Sequence, residues 1–137
     1  MGKDIHGWVE KNINGKWVAI DRIIDRKRNI QRFHALSKGV IPKGIPEDIS
    51  DTVNFWIEKD KDIYHSHNYI PALSFAAICM HTDEHSIKTK EDAEYFTNNM
   101  LEYHVCSIFN REPFSWETEG FDMDTINDYR VVYWFEG

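Results

Sequence analysis

The fold is decided by the opening stretch Asp4-Ile5-His6-Gly7-Trp8-Val9-Glu10, which is followed closely by Lys16-Trp17-Val18-Ala19-Ile20-Asp21. Both stretches are rich in β-branched and aromatic residues, and between them stands Asn14-Gly15, the strongest short-range signal for a two-residue hairpin turn. Because successive side chains of a strand point to opposite faces, the even-numbered residues of the first stretch share one face. The chain is therefore predicted to open with a β-hairpin whose first strand carries a polar row.

The rest of the chain predicts one more strand and several helices. The stretch from Tyr129 to Phe135 is β-branched and aromatic, which is typical of a buried strand, and we expect it to lie antiparallel to the hairpin. Apolar spacing and capping residues predict helices over 27–37, 51–59 (capped by Ser50), from Pro71 onward, and from about residue 89 to 107. Segments 38–48 and 110–127 are predicted loops. The predicted fold class is α+β: a small antiparallel sheet (N-terminal hairpin plus C-terminal strand) packed by three or four helices, in a single domain over 1–137.

Composition restricts the classes of function. The chain has 137 residues and a net charge of −7, which argues against general nucleic-acid binding and against anionic membrane surfaces. Neither a signal peptide nor an apolar run of membrane length is found, and the two cysteines, Cys79 and Cys106, lie in predicted helices. We therefore expect reduced thiols and a cytoplasmic protein, in the host cytoplasm if the chain is phage-encoded.

A histidine-bearing segment, Tyr64-His65-Ser66-His67-Asn68-Tyr69, precedes Pro71 and an apolar run. Proline favours the first position of a helix, which predicts that His67 or Asn68 lies at a helix N-terminus. Backbone N–H groups at such an end suit an anion, whereas the imidazoles suit a metal. The sequence leaves both readings open.

A basic cluster interrupts the acidic chain. It consists of Arg22, Arg26, Lys27, Arg28 and Arg32. Helical spacing predicts that Arg28 and Arg32 share a face, where their guanidinium forks could hold phosphate oxygens while Trp8, Tyr64 or Tyr69 stacks on a base. The alternative is that these arginines pair with surface carboxylates. The predicted ligand-binding residues are Trp8, Arg28, Arg32, His65, Ser66, His67 and Tyr69.

A metal site is an alternative reading of the same regions. Asp4 and His6 on the first strand could join His65 and His67 around zinc, manganese or iron, with Glu10 as a general base for hydrolysis. A solvated strand face is the competing explanation. Arg130, within the apolar last strand, requires a carboxylate partner, for which Asp4 or Glu10 is available.

Several motifs together resemble a family of small bacteriophage proteins with no assigned activity, which open with Cys-Asp-Ile-His-x-x-Val-Glu. Here Lys3 replaces the cysteine, and the rest of the motif is present through Glu10. Four further segments resemble motifs of the same family: 28–36, 42–48, 62–69 and 130–136. The resemblance implies a phage accessory protein, of a kind that often acts against host defence.

Three functions remain open. The first is a counter-defence protein that binds and sequesters a small anionic, nucleotide-like ligand, with no catalytic residues and no required cofactor. The second is a metal-dependent hydrolase of a phosphorylated small molecule, which would use a divalent metal. The third is an acidic inhibitor that blocks a host defence protein through the region from Glu112 to Asp128. A homodimer is also left open.

Overall fold

The computed structural model describes residues 3–84, 89, 91 and 128–136. The predicted hairpin is confirmed: strand β1 (Asp4–Ile13) and strand β2 (Lys16–Asp25) are antiparallel. Asn14 and Gly15 both have positive φ, 53° and 86°, as this tight turn requires. The hairpin strands are longer than the sequence predicted.

The predicted C-terminal strand is also confirmed. Strand β4 (Tyr129–Glu136) pairs antiparallel with β1, so that Asp4 faces Glu136 and Glu10 faces Arg130. A further strand, β3 (Tyr64–Pro71), pairs antiparallel with the other side of β4. The order of the described strands is β2-β1-β4-β3. The central position of β4 explains why seven of its eight residues are buried.

The three described helices have short, well-defined bounds. Helix α1 (Ile30–His34) continues into a π-helical segment (Ala35–Gly39), α2 is Asp51–Lys59, and α3 is Ala72–Glu84. Ser50 caps α2 as predicted, because its hydroxyl accepts the Val53 N–H at 3.3 Å. The prediction that the first helix begins at Lys27 was wrong. Arg28 has a φ of 53°, outside the right-handed helical region, and Asn29 caps the helix instead.

Helices cover both faces of the sheet. One face, here called the α3 face, buries residues such as Ile5, Val131 and Phe135 against α1, the π-helical segment and α3. The opposite face, the α2 face, buries Val132 and Trp134 against α2. The apolar helix predicted after Pro71 is thus confirmed as part of the core.

The fold class is a small α+β fold, as the sequence predicted. Among the described residues, no helix is both long enough and apolar enough to cross a membrane. The helix predicted over 89–107 and the loop predicted over 110–127 lie outside the described residues, apart from residues 89 and 91. The single domain over 1–137 remains a prediction.

Candidate functional site

Two carboxylates and an imidazole meet at one end of the α2 face. Asp4 and His6 come from β1 and Glu136 from β4, where the register pairs Glu136 with Asp4 and Trp134 with His6. Paired and alternate residues share a face, so the three side chains lie on the same side of the sheet. Their ligand atoms lie within 4.8 Å of one another. We call this group, together with Tyr64, the His6 site.

The His6 ring is fixed by contacts on two sides. His6 is only 3% exposed, its Nε2 lies 2.8 Å from Glu136 Oε2, and its ring centroid is 4.8 Å from that of Tyr64. Glu136, in contrast, has a side chain that is 42% exposed. The site therefore combines a buried imidazole with a carboxylate that solvent can reach.

Three exposed arginines contribute positive charge to this site. Arg28 Nε donates to Asp4 Oδ1 at 3.0 Å. Burial raises the pKa of Tyr64, as do the charges of Asp60 and Glu136, while the guanidinium charges of Arg22 and Arg26 lower it in part. Arg22 also lies over the Trp56 ring of α2, 4.4 Å from its centroid. Arg28 thus supplies positive charge beside Asp4, and the charges of Arg22 and Arg26 act on Tyr64.

Arg32 is placed elsewhere, against the prediction that it shares a helical face with Arg28. Its side chain is buried and forms an ion pair with Asp25, while its Nε donates to Thr82 Oγ1 at 3.1 Å and its Nη2 to the Cys79 carbonyl at 3.1 Å. These bonds tie α1 to β2 and α3. Of the two predictions made for the basic cluster, pairing with a carboxylate is the one observed for Arg32.

The histidine-bearing segment is a strand and not a helix N-terminus. Helix α3 begins at Ala72, so the prediction that His67 or Asn68 begins a helix was wrong. His65 is exposed and its Nδ1 lies 2.9 Å from Ser66 Oγ, where Ser66 has a φ of 58°. His67 is half-buried, with its ring 5.5 Å from that of Trp134. The register of β3 against β4 is irregular between His65 and Asn68.

Of the three predicted stacking residues, Tyr64 belongs to the His6 site, whereas Trp8 and Tyr69 lie in other parts of the α2 face. Trp8 packs against the cluster that includes Val53 and Trp134. The Tyr69 ring lies 4.6 Å from Lys43 Nζ and 5.4 Å from the Arg130 guanidinium carbon. Of the predicted ligand-binding residues, only Arg28 bonds to a member of the His6 site.

Arg130 and Glu10 form a buried pair at the other end of β1. Arg130 Nε donates to Glu10 Oε1 at 2.7 Å, and its Nη1 donates to Asp48 Oδ1 at 2.9 Å. Glu10 is fully buried, and its other oxygen accepts the Ser50 N–H at 2.9 Å. Of the two partners predicted for Arg130, Glu10 is the observed one. Glu10 therefore has a structural role, and its burial keeps it from acting as a general base on water.

The predicted metal set is not assembled as proposed. Among the described residues, the group of three ligands within 4.8 Å is Asp4, His6 and Glu136, without His65 and His67. Strand β4 separates β1 from β3, and the residue paired with His65 is Phe135, which belongs to the α3 face. Asp4 and His6 are retained, and Glu136 takes the place of the two histidines.

Comparison with known proteins finds no matching family model, no matching curated protein and no matching solved structure. The chemistry of the site must therefore be inferred from its own residues. One of these, Glu136, was absent from the predicted site, whereas Tyr64 was predicted as a residue on which a base could stack. The sequence left open whether Arg130 pairs with Asp4 or with Glu10, and only the pairing with Glu10 places Glu136 opposite Asp4 in an antiparallel register. The acidic region 112–128 of the inhibitor hypothesis lies outside the described residues, except for Asp128.

Proposed function

We propose that the protein binds a small phosphorylated, nucleotide-like ligand at the His6 site. The observation that supports this proposal is that three exposed arginines act on members of one site in a chain of net charge −7: Arg22 and Arg26 act on the half-buried Tyr64, and Arg28 bonds to Asp4. These guanidinium groups supply N–H donors for an anion in a chain whose overall charge repels one.

The side chains of the site suit both the phosphate and the base of such a ligand. Each guanidinium offers a planar fork of N–H donors that matches phosphate oxygens. Arg28 remains 68% exposed in spite of its bond to Asp4, so a ligand in solvent can reach it. Tyr64, whose ring lies beside His6, presents an aromatic surface on which a base can stack.

The burial of Glu10 and its pairing with Arg130 favour binding over hydrolysis. The hydrolase hypothesis required Glu10 as a general base, but this carboxylate is fully buried and paired with Arg130. In a phage accessory protein, binding without turnover would sequester a nucleotide-like signal of host defence in the cytoplasm. We therefore place sequestration first, and hydrolysis becomes an outcome of the test.

The proposal is tested by calorimetric titration of the full chain with inorganic phosphate and with cyclic and linear nucleotides. We expect Arg28→Gln to weaken nucleotide binding about tenfold, since a hydrogen bond to a charged group contributes about 1.5–3 kcal/mol. Arg22→Gln and Arg26→Gln should have the same direction of effect. The affinity should also fall between roughly 0.05 and 0.5 M salt, because exposed charges are screened.

Lys16→Gln is the matched control. It removes one positive charge at the opposite end of the hairpin, about 30 Å along β1 from Asp4. Unchanged binding in the Lys16 variant together with weaker binding in the arginine variants supports the proposal. The proposal is wrong if no nucleotide binds, or if all four variants bind equally well. Release of phosphate during the titration would favour the hydrolase.

A further inference from the structure

We propose that Asp4, His6 and Glu136 form a binding site for a first-row divalent cation, Zn²⁺ or Mn²⁺. One imidazole nitrogen and two carboxylate groups supply the ligand types that these ions accept. The three ligand atoms already lie within 4.8 Å of one another. The set differs from the one predicted from sequence, because it includes Glu136 and omits both histidines of β3.

The spacing of the ligand atoms is close to that of a metal centre. Bond lengths of about 2.0–2.2 Å place neighbouring ligand atoms roughly 3 Å apart around a common ion. His6 Nε2 and Glu136 Oε2 are 2.8 Å apart. A cation can therefore take the place of the shared proton with small side-chain movements and no change in the backbone.

The sheet holds the ligands in place before a metal binds. Asp4 and His6 are alternate residues of β1, and Glu136 lies opposite Asp4 on β4. Burial of His6 and its contact with the Tyr64 ring restrict the imidazole. The bond from Arg28 orients Asp4, which is the kind of outer contact that positions ligating carboxylates.

Three protein ligands leave coordination positions for other oxygen atoms, as in catalytic metal sites. This part of the inference rests on the proposed function. Asp4 and Glu136 alone would repel a phosphate held by Arg28, whereas a cation between them offsets their charge and can also accept a phosphate oxygen. The metal would thus make the carboxylates part of the phosphate site.

The experiment is a titration of the full chain with Zn²⁺ and with Mn²⁺ alone, after treatment with a chelator and without any phosphate. We expect one ion per chain. Asp4→Asn, His6→Gln and Glu136→Gln should each weaken binding by more than about tenfold, because loss of an outer contact alone typically costs roughly ten- to hundredfold. Glu136→Gln changes a partly exposed side chain, so it tests the site even if the buried His6 variant fails to fold.

His65→Gln is the control, because it removes an exposed imidazole that lies outside the ligand group. Its metal affinity should equal that of the unaltered chain. Absence of stoichiometric binding, or binding that survives Glu136→Gln and Asp4→Asn, would overturn the metal site. Metal binding without nucleotide binding would retain this site and reject the proposed function. Nucleotide binding that is equally tight with and without chelator would retain the proposed function and reject the participation of the metal in phosphate binding.

Discussion

His67 is an imidazole held in an environment that disfavours its charged form. It is half-buried in β3, its Nε2 has no hydrogen-bond partner among the described atoms, and its ring lies 5.5 Å from that of Trp134. Burial lowers the pKa of His67, and the charge of His65 lowers it further. Folding therefore favours the neutral ring.

This shift predicts a loss of stability in acid. The pKa of His67 is lower in the folded than in the unfolded chain, so the unfolded chain binds more protons as the pH falls below about 6.5. The free energy of unfolding should decrease through that range and stop decreasing, for this group, below the folded pKa. His67→Gln should remove this contribution.

Urea unfolding of both proteins from about pH 8 to about pH 5 measures the effect. The difference in stability between the unaltered chain and the variant at about pH 8 serves as the reference. Relative to that reference, the unaltered chain should lose more stability in acid than the variant. Parallel curves over the whole range would contradict the prediction.

Strands β1 and β4 approach each other closely at Gly7. A Cβ atom at this position would lie 2.6 Å from the Val132 carbonyl oxygen and 3.3 Å from the Tyr133 Cα. Both neighbours are backbone atoms of the central strand, so neither can move aside as a flexible side chain could. The absence of a side chain at Gly7 is thus a requirement of the strand pairing that positions the His6 site.

Gly7→Ala is expected to destabilise the fold by about 1–3 kcal/mol, the usual cost of inserting atoms into a packed interior. Chemical denaturation measures this loss directly. Gly15→Asn is the control: a Cβ there meets nothing within 4 Å, so only the strain of the positive φ opposes the substitution, and asparagine is among the residues that best tolerate positive φ. The control should cost under about 1 kcal/mol. Equal effects of the two substitutions would show that the contact with Val132 is unimportant.

One buried ion pair joins the main parts of the molecule. Arg130 in β4 binds Glu10 in β1 and Asp48 in the loop before α2, and Glu10 in turn accepts the N–H of Ser50, the capping residue of α2. The Arg130 guanidinium also lies 3.9 Å from the centroid of the Trp17 ring in β2. The pair thereby couples the sheet to the helix that covers its α2 face.

Loss of Arg130 should therefore destabilise the whole fold. Arg130→Met leaves the Glu10 carboxylate buried without its countercharge, which typically costs about 3–5 kcal/mol. The double variant Arg130→Met with Glu10→Gln, which removes both charges, should recover more than half of that loss. Guanidinium unfolding of the two variants checks this. A single variant that loses less than about 1 kcal/mol would contradict the prediction.

The sequence alone was sufficient to predict the elements that depend on neighbouring residues. Asn14-Gly15 placed the hairpin, the β-branched and aromatic stretch placed β4, and Ser50 placed the start of α2. These signals act within a few residues, so local conformational preference and the alternation of faces are enough to predict them. They also put Asp4 and His6 on one face.

Only the tertiary structure decided which distant side chains meet. The stretch after Ile63 became a strand because β4 had an open edge to pair with, which no pattern within Tyr64–Pro71 indicates. A left-handed turn at Arg28 separated it from Arg32, and the register of β4 brought Glu136 to His6 across 130 positions of sequence. Strand order and register are set by packing across the whole chain, and such long-range choices leave no mark in a local pattern.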